Sequence, residues 1–288
     1  MNAASLVPVF QEHRPLLFGI AYRMLGSVTE AQDMVQEVFL RWQSQPIEEI
    51  KSPKAWLTTT VTRLCIDHLR SARVRREEYV GVWLPEPLLE AQQPPAEAPG
   101  LAESLTTAFL VLLETLSPAE RAVFLLREVF EYDYDEIARI TEKSEANCRQ
   151  MLRRAKEHVA AGKSRFKADA ARNEQLVQQF MDACRLGDTE GLLAMLSDDA
   201  TLYSDGGGKV LAAVKPIFGA DRVSRFLVGV MRFVAPDEEF RFAVVNSEPG
   251  LLRFHHGQLI QTTTFALADG RITAIYVVRN PDKLRHAN

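Results

Sequence analysis

Arginines interleaved with an aromatic ring are the first chemistry the chain offers. From Arg63 to Arg76 five arginines (Arg63, Arg70, Arg73, Arg75 and Arg76) stand against one acid, Asp67. Trp56, Thr60, Arg63, Asp67 and Arg70 recur every three or four residues, which on a helix gathers them on one side. A ring that stacks on unpaired bases, beside guanidinium groups that hold phosphates, suits single-stranded or melted nucleic acid. Burial of Trp56 in a core suits that residue equally well. A second basic block runs from Arg139 to Lys167, with nine basic residues against three acids, Glu142, Glu145 and Glu157. Inside it Arg149, Gln150, Arg153, Arg154 and Lys156 lie opposite an apolar stripe of Cys148, Met151, Leu152, Ala155 and Val159. Such a row suits the major groove, arginine reading guanine or phosphate and glutamine reading adenine. The alternative is a solvated basic face.

Acid–base chemistry has fewer candidates: His255, His256 and Asp205. Adjacent strand residues point to opposite faces, so at most one of the two histidines is expected to enter a pocket. Gly206, Gly207 and Gly208 before Lys209 read as a flexible loop and lack the GxxxxGK[ST] spacing of a phosphate-binding P-loop. Cys65, Cys148 and Cys184 are scattered through helical patterns without metal-type pairing and read as buried thiols. No metal and no cofactor are expected.

The formal net charge is -4, so the two basic blocks imply two separate phosphate-facing surfaces on an otherwise acidic chain. The first residues carry no signal pattern, and no stretch approaches the ~18 apolar residues that span a bilayer. A cytoplasmic protein with no membrane contact is the expectation.

Several elements must position these groups. Ser27-Val28-Thr29-Glu30 reads as a capping box opening a helix with Ala31, Met34, Val35, Val38, Phe39 and Trp42 inward. Asp33, Gln36, Glu37 and Arg41 then form an outer stripe, either solvated or a docking face for a protein. Ser52-Pro53 opens a second helix towards Arg70, with Leu57, Val61 and Leu64 inward. Residues 81–114 hold five acids, no lysine or arginine, and five prolines, marking a linker or a strapped-down loop. Within it Val82, Trp83, Leu84 and Pro85 are too apolar for a solvated tether and should dock. Leu116-Ser117-Pro118-Ala119-Glu120 caps another helix, Tyr134–Ile140 forms a short one, and Thr141-Glu142-Lys143-Ser144 turns into a longer helix from Glu145. That layout is a helix-turn-helix. Past about residue 170 a helix from Asn173 to Gly187 precedes five strands, Ala200–Ser204, Glu239–Val245, Leu251–Phe254, Leu259–Phe265 and Arg271–Arg279, with a hairpin turn at Ala268-Asp269-Gly270. An α+β domain with a curved antiparallel sheet is expected there.

Thr29 to Phe39, Ala55-Trp56-Leu57 and Ile66 to Arg70 resemble regions two-point-one to two-point-four of extracytoplasmic-function sigma factors. Leu116 to Arg121, Tyr134 to Ala138 and Arg149 to Ala155 resemble their region four. The remainder is similar to a SnoaL-like cone. Trp83-Leu84-Pro85-Glu86-Pro87 with Asp205-Gly206-Gly207-Gly208-Lys209 resembles the paired signatures of the sigma subgroup that carries this extension. The resemblance implies a multidomain protein: two all-α sigma domains followed by the α+β cone. Region 2 would span 1–80, an acidic Pro-rich linker 81–104, the region 4 helix-turn-helix 105–165 and the regulatory cone 171–288. It further implies docking on core RNA polymerase, at the β′ clamp through Asp33, Gln36, Glu37 and Arg41 and at the β flap. Trp56, Thr60, Arg63, Asp67 and Arg70 would capture the minus-ten element of promoter DNA. Lys143, Ser144, Arg149, Gln150, Arg153 and Arg154 would read minus thirty-five. Trp83, Leu84 and Pro85 would meet the Asp205–Lys209 loop as an interdomain regulatory contact. The family pattern is broken twice: Arg63 replaces a usual asparagine, and Glu142-Lys143 lacks the usual turn glycine.

Two other functions fit parts of the chain. A ligand-sensing helix-turn-helix regulator explains 105–288 but not the first hundred residues. A cone with small-molecule enzyme activity, or one holding a small ligand, would have to use His255, His256 or Asp205.

Overall fold

The computed structural model describes residues 6–46, 50–77, 79–89, 103–162 and 170–287. By contacts the chain forms two compact units.

The first unit is helical. It holds α1 (Leu6–Leu25), α2 (Val28–Gln43), α3 (Pro53–Glu77), residues 110–113 of α4 (Thr107–Leu113), α5 (Pro118–Glu128), α6 (Tyr134–Thr141) and α7 (Glu145–Gly162). Their starts follow the sequence signals. Ser27 accepts from the Glu30 amide at 3.1 Å, Ser52 accepts from the Ala55 amide at 3.3 Å, and Ser117 with Glu120 completes a capping box. Leu17, Ile20, Met24, Val38, Trp42, Leu57, Val61 and Leu125 are buried, so the apolar stripes of four helices turn inward. Arg121 is buried as well. Its guanidinium donates to the Met24 carbonyl at 2.6 Å and to Glu114 at 2.7 Å, satisfying an acceptor at the open end of α1.

The second unit is α+β: α8 (Ala170–Leu186), α9 (Thr189–Met195), β1 (Leu196–Asp205), β2 (Ile217–Phe218), α10 (Ala220–Met231), β3 (Glu238–Val245), β4 (Glu248–His255), β5 (Gln258–Ala268), β6 (Arg271–Val278) and α11 (Pro281–Leu284). The sheet order is β2-β1-β6-β5-β4-β3. The expected all-antiparallel sheet is corrected, because β1 and β6 pair in parallel. Three successive hairpins reverse the chain from β3 to β6, and the last strand therefore returns beside β1 running the same way. Each hairpin is closed by two residues with positive φ: Asn246-Ser247, His256-Gly257 and Asp269-Gly270. That is the type I′ pattern, which matches strand twist. Register shifts in β1, β4 and β5 add curvature. Phe180, Leu192, Leu202, Val223, Phe265 and Ile275 form the unit's buried core between helices and sheet. Sequence patterning missed α9 and the two-residue β2, which are too short to show a period, and also α10, although Val223, Phe226, Leu227, Val230 and Met231 recur there at helical spacing.

Residues 79–89 and 105–109 also belong to the second unit. Of the stretch expected as a linker or a strapped-down loop, residues 81–89 are thus packed into the cone, and 90–102 lie outside the described residues.

Candidate functional site

On α2 the inward residues Ala31, Val35, Val38 and Trp42 are buried, leaving Asp33, Gln36 and Arg41 exposed and Glu37 half-buried. Arg41 pairs with Glu37 one turn earlier at 2.7 Å. Leu40 is 54% exposed between them. Helical periodicity had assigned this face to polar residues, so the apolar centre of the stripe went unnoticed.

On α3 the spacing argument holds for Arg63, Asp67 and Arg70, which are exposed. Trp56 is half-buried, tilted against Trp42 with centroids 5.5 Å apart, so it serves the core of this unit as well as its surface. Thr60 donates its hydroxyl to the Trp56 carbonyl at 2.8 Å, and Arg70 pairs with Asp67 at 3.2 Å. Arg63 points to α6: it donates to the carbonyls of Ile140 at 2.9 Å and Arg139 at 2.7 Å, and meets Glu142 at 2.8 Å. Thr58 and Tyr132 share a buried hydrogen bond at 2.9 Å beside this contact. The described side chains do not include Arg73, Arg75 and Arg76.

The helix-turn-helix is α6 and α7, with Glu142 taking the left-handed conformation (φ 55) that a glycine usually supplies. Cys148, Met151, Leu152, Ala155 and Val159 are buried, as the stripe predicted. Ser144, Arg149, Gln150 and Arg153 are exposed and Lys143 is half-buried. Arg149 lies over the Tyr134 ring at 4.6 Å and pairs with Glu145 at 2.8 Å. Arg154 instead turns back to Glu120 at 3.1 Å, and Lys156 to Glu128 at 2.8 Å, both on α5. The expected row is thus divided between an outward group and a group that ties α7 down.

In the second unit a buried carboxylate organises the paired signatures. Asp205 has no exposed surface. It accepts from the Leu84 amide at 2.9 Å, the Tyr79 hydroxyl at 2.5 Å, the Gly207 amide at 3.0 Å and the Lys283 ammonium at 2.8 Å. Lys283 also donates to the Leu84 carbonyl and lies 4.1 Å from the Trp83 ring centroid. Burial, then the bond to Asp205, pushes the Tyr79 hydroxyl well above its ordinary pKa. The glycines allow close approach. A Cβ on Gly206 would lie 2.5 Å from the Val210 carbonyl oxygen, and one on Gly207 would lie 2.3 Å from the Asn280 side chain. Lys209 pairs with Asp282. Trp83 is only half-buried, whereas Leu84 and Leu88 are wholly buried and are the apolar anchors of the segment. At about 1.5–3 kcal/mol each, they outweigh what the partly covered indole adds. Tyr79, Leu88, Asn246 and Lys283 were missed in the sequence. Asn246 accepts from the Leu88 amide at 3.1 Å and donates to the Leu105 carbonyl at 3.0 Å, contacts that no local pattern encodes.

The enzyme candidates do not converge. Asp205 is consumed by structural partners. His255 and His256 sit together at the β4–β5 turn, with ring centroids 4.1 Å apart. The opposite-face expectation is corrected, because His256 has φ 51 and the strand alternation ends at His255. A surface hollow of about 370 Å³ is lined by Leu193, Asp198, Phe218, Gly219, Ala220, Asp221 and Arg222, and by none of the three.

Comparison with known proteins agrees with this layout. Residues 9–75 match the Sigma-70 region 2 family, and residues 106–159 match Sigma-70, region 4. The chain is 38% identical over 291 residues to the ECF RNA polymerase sigma factor SigJ of Mycobacterium tuberculosis, covering 96% of this chain and 92% of the relative. It is 30% identical over 277 residues to a "Probable ECF RNA polymerase sigma factor SigI" of the same organism, covering 96% and 93%. The crystal structure of the M. tuberculosis SigJ superposes with a TM-score of 0.78 at 33% identity, covering 96% of this chain and 97% of that one. No helix among the described residues is long and apolar enough to cross a membrane.

Proposed function

Since this chain belongs to the extracytoplasmic-function RNA polymerase sigma factors, and so binds core polymerase and promoter DNA, we propose which of its surfaces does each task. Asp33, Gln36, Glu37 and Arg41, with Leu40 among them, dock on the β′ clamp; a polar stripe around one exposed leucine has the make-up of a small protein interface. Trp56, Thr60, Arg63, Asp67 and Arg70 take the opened minus-ten strand. Lys143, Ser144, Arg149, Gln150 and Arg153 read minus thirty-five, with α7 as the recognition helix.

The cone regulates the sigma factor in the same chain by gripping residues 79–89, which lie between region 2 and region 4 in sequence. The observation carrying this reading is the buried Asp205, whose four donors include the Leu84 amide and the Tyr79 hydroxyl of that segment. No covalent chemistry is assigned to the chain, and its place of action is the cytoplasm, where polymerase works.

The test is transcription in vitro from a cognate promoter with purified core polymerase. The Asp33→Arg, Glu37→Arg double variant should lose polymerase capture, a charge reversal worth on the order of 2–5 kcal/mol. Asp205→Ala should keep capture and change promoter-dependent output. Capture by the double variant at the unaltered level would refute the docking face, and unaltered output from Asp205→Ala would refute regulation by the cone.

A further inference from the structure

Asp237, His255 and His256 stand outside every surface assigned above. His255 ends β4, and His256 begins the turn to β5 with φ 51, followed by Gly257 with φ 77. In a regular strand the two rings would face opposite ways. The left-handed turn swings His256 round, and the imidazoles stack with centroids 4.1 Å apart. β3 begins opposite, with Glu238 paired to His255 in register, which brings Asp237 to the same place. Its Oδ2 lies 3.2 Å from His255 Nε2 and 3.4 Å from His256 Nδ1.

We propose that these three side chains bind a divalent transition-metal cation of the zinc class. Zinc holds nitrogen and oxygen ligands at about 2.0–2.1 Å in a tetrahedron, whose edge is then about 3.3 Å. Both separations agree with that edge, and the three ligand atoms lie within 4.8 Å of one another. Two imidazoles and one carboxylate are a donor set suited to zinc, nickel or cobalt, and unsuited to magnesium or calcium, which prefer oxygen. The neighbouring charges are committed elsewhere: Glu238 to Arg253, and Glu239 to Arg241. His256 is 77% exposed and Asp237 is 50% exposed, so a fourth position faces solvent. The bound ion would clamp the start of β3 to the β4–β5 turn at the rim of the cone.

The experiment uses the full-length chain without an affinity tag. Zinc is titrated calorimetrically, and cobalt(II) is titrated with its visible absorption as a report on coordination. Cys65, Cys148 and Cys184 are buried and do not compete. One equivalent should bind, and cobalt(II) should give the intense visible bands of a tetrahedral site. Asp237→Asn and His256→Ala should each weaken binding roughly tenfold or more. The exposed His256 makes the second variant safe for folding, and an unchanged circular dichroism spectrum confirms that. Zinc affinity of His256→Ala and Asp237→Asn within twofold of the parent, or no binding by the parent at millimolar zinc, overturns the site.

Discussion

Arg63 Nη1 and Glu142 Oε1 stand 2.8 Å apart, joining α3 to the turn between α6 and α7. Both fall where the sequence reading expects departures from the family pattern, Arg63 for a usual asparagine and a Glu142-Lys143 turn without the usual glycine. The structure makes them one feature. Arg63 also donates to the Arg139 and Ile140 carbonyls, placing a cation at the open C-terminus of α6. With 43% and 72% of the two side chains exposed, the ion pair alone contributes about 0–1 kcal/mol. The carbonyl bonds from a charged donor add about 1.5–3 kcal/mol. Arg63→Asn should therefore destabilise the first unit by roughly 1–3 kcal/mol by the same reasoning. Glu142→Gly should lose the pair but ease the left-handed backbone. A double-mutant cycle by denaturant unfolding should show coupling of about 0.5–1 kcal/mol; additive changes would mean that the pair does not act as a unit. Under the proposed minus-ten role of Arg63, this contact has to open before the guanidinium can meet a phosphate.

Asp205 gives the largest expected loss. Lys283 is 8% exposed and Asp205 is wholly buried, so Asp205→Ala removes a carboxylate from a buried ion pair. A loss of about 3–5 kcal/mol is expected. Because Asp205 also holds Leu84 and Tyr79, residues 79–89 should become sensitive to protease while the first unit keeps its unfolding transition. Lys283→Met tests the same pair from the other side, since it removes the charge and fills the volume. Because it leaves the wholly buried Asp205 carboxylate without that ammonium, it should also cost about 3–5 kcal/mol.

Where a signal is local, the sequence was readable. Ser27, Ser52 and Ser117 marked helix starts within a residue, and the α7 stripe was complete because every member recurs at three or four. Asp269-Gly270 showed its turn for the same reason. What escaped depends on residues far apart in the chain. Trp83, Leu84 and the glycine loop were matched through the family signatures, but Tyr79, Asn246 and Lys283 reach the segment only through the tertiary fold. The parallel β1–β6 pair has no residue-level signature, since antiparallel and parallel strands share one alternation. His255 and His256 were misread by applying that alternation across a turn.

Glu248 predicts a pH effect. Burial raises its carboxyl to about 8, only partly offset by a backbone bond from Thr107. Oε2 is shielded from water and has no hydrogen-bond partner among the described residues. A folded pKa above the unfolded one means that the folded state holds the proton more tightly. The associated stability is full below the ordinary value of 4.5 and fades as pH rises towards 8. Glu248→Gln keeps the shape without the charge. Its melting temperature should exceed that of the parent above pH 8, and its stability should vary less between pH 4.5 and 8. Parallel pH profiles for the two proteins would contradict this.

The basic row of α7 should separate by function. Arg149 and Arg153 are exposed and each pairs with an acid one turn away on its own helix, a contact that DNA phosphates can replace, while Arg149 also lies over the Tyr134 ring. Arg149→Ala and Arg153→Ala should each weaken minus-thirty-five binding by about 1–3 kcal/mol where they read a base. Where they touch only phosphate, the slope of affinity against salt should fall by about one. Arg154 lies differently. Its partner Glu120 is 15% exposed and also receives the Ser117 hydroxyl. Burial would raise that carboxyl, but the Ser117 bonds and Arg154 together hold it below the ordinary range. A depressed carboxyl contributes stability above its unfolded pKa and loses it as pH falls through the folded one. Arg154→Ala should thus lower the stability of the first unit at neutral pH by about 0.5–1 kcal/mol. The deficit should shrink on acidification, and promoter affinity should stay within twofold of the parent. A loss of promoter affinity equal to that of Arg149→Ala would place Arg154 with the DNA readers.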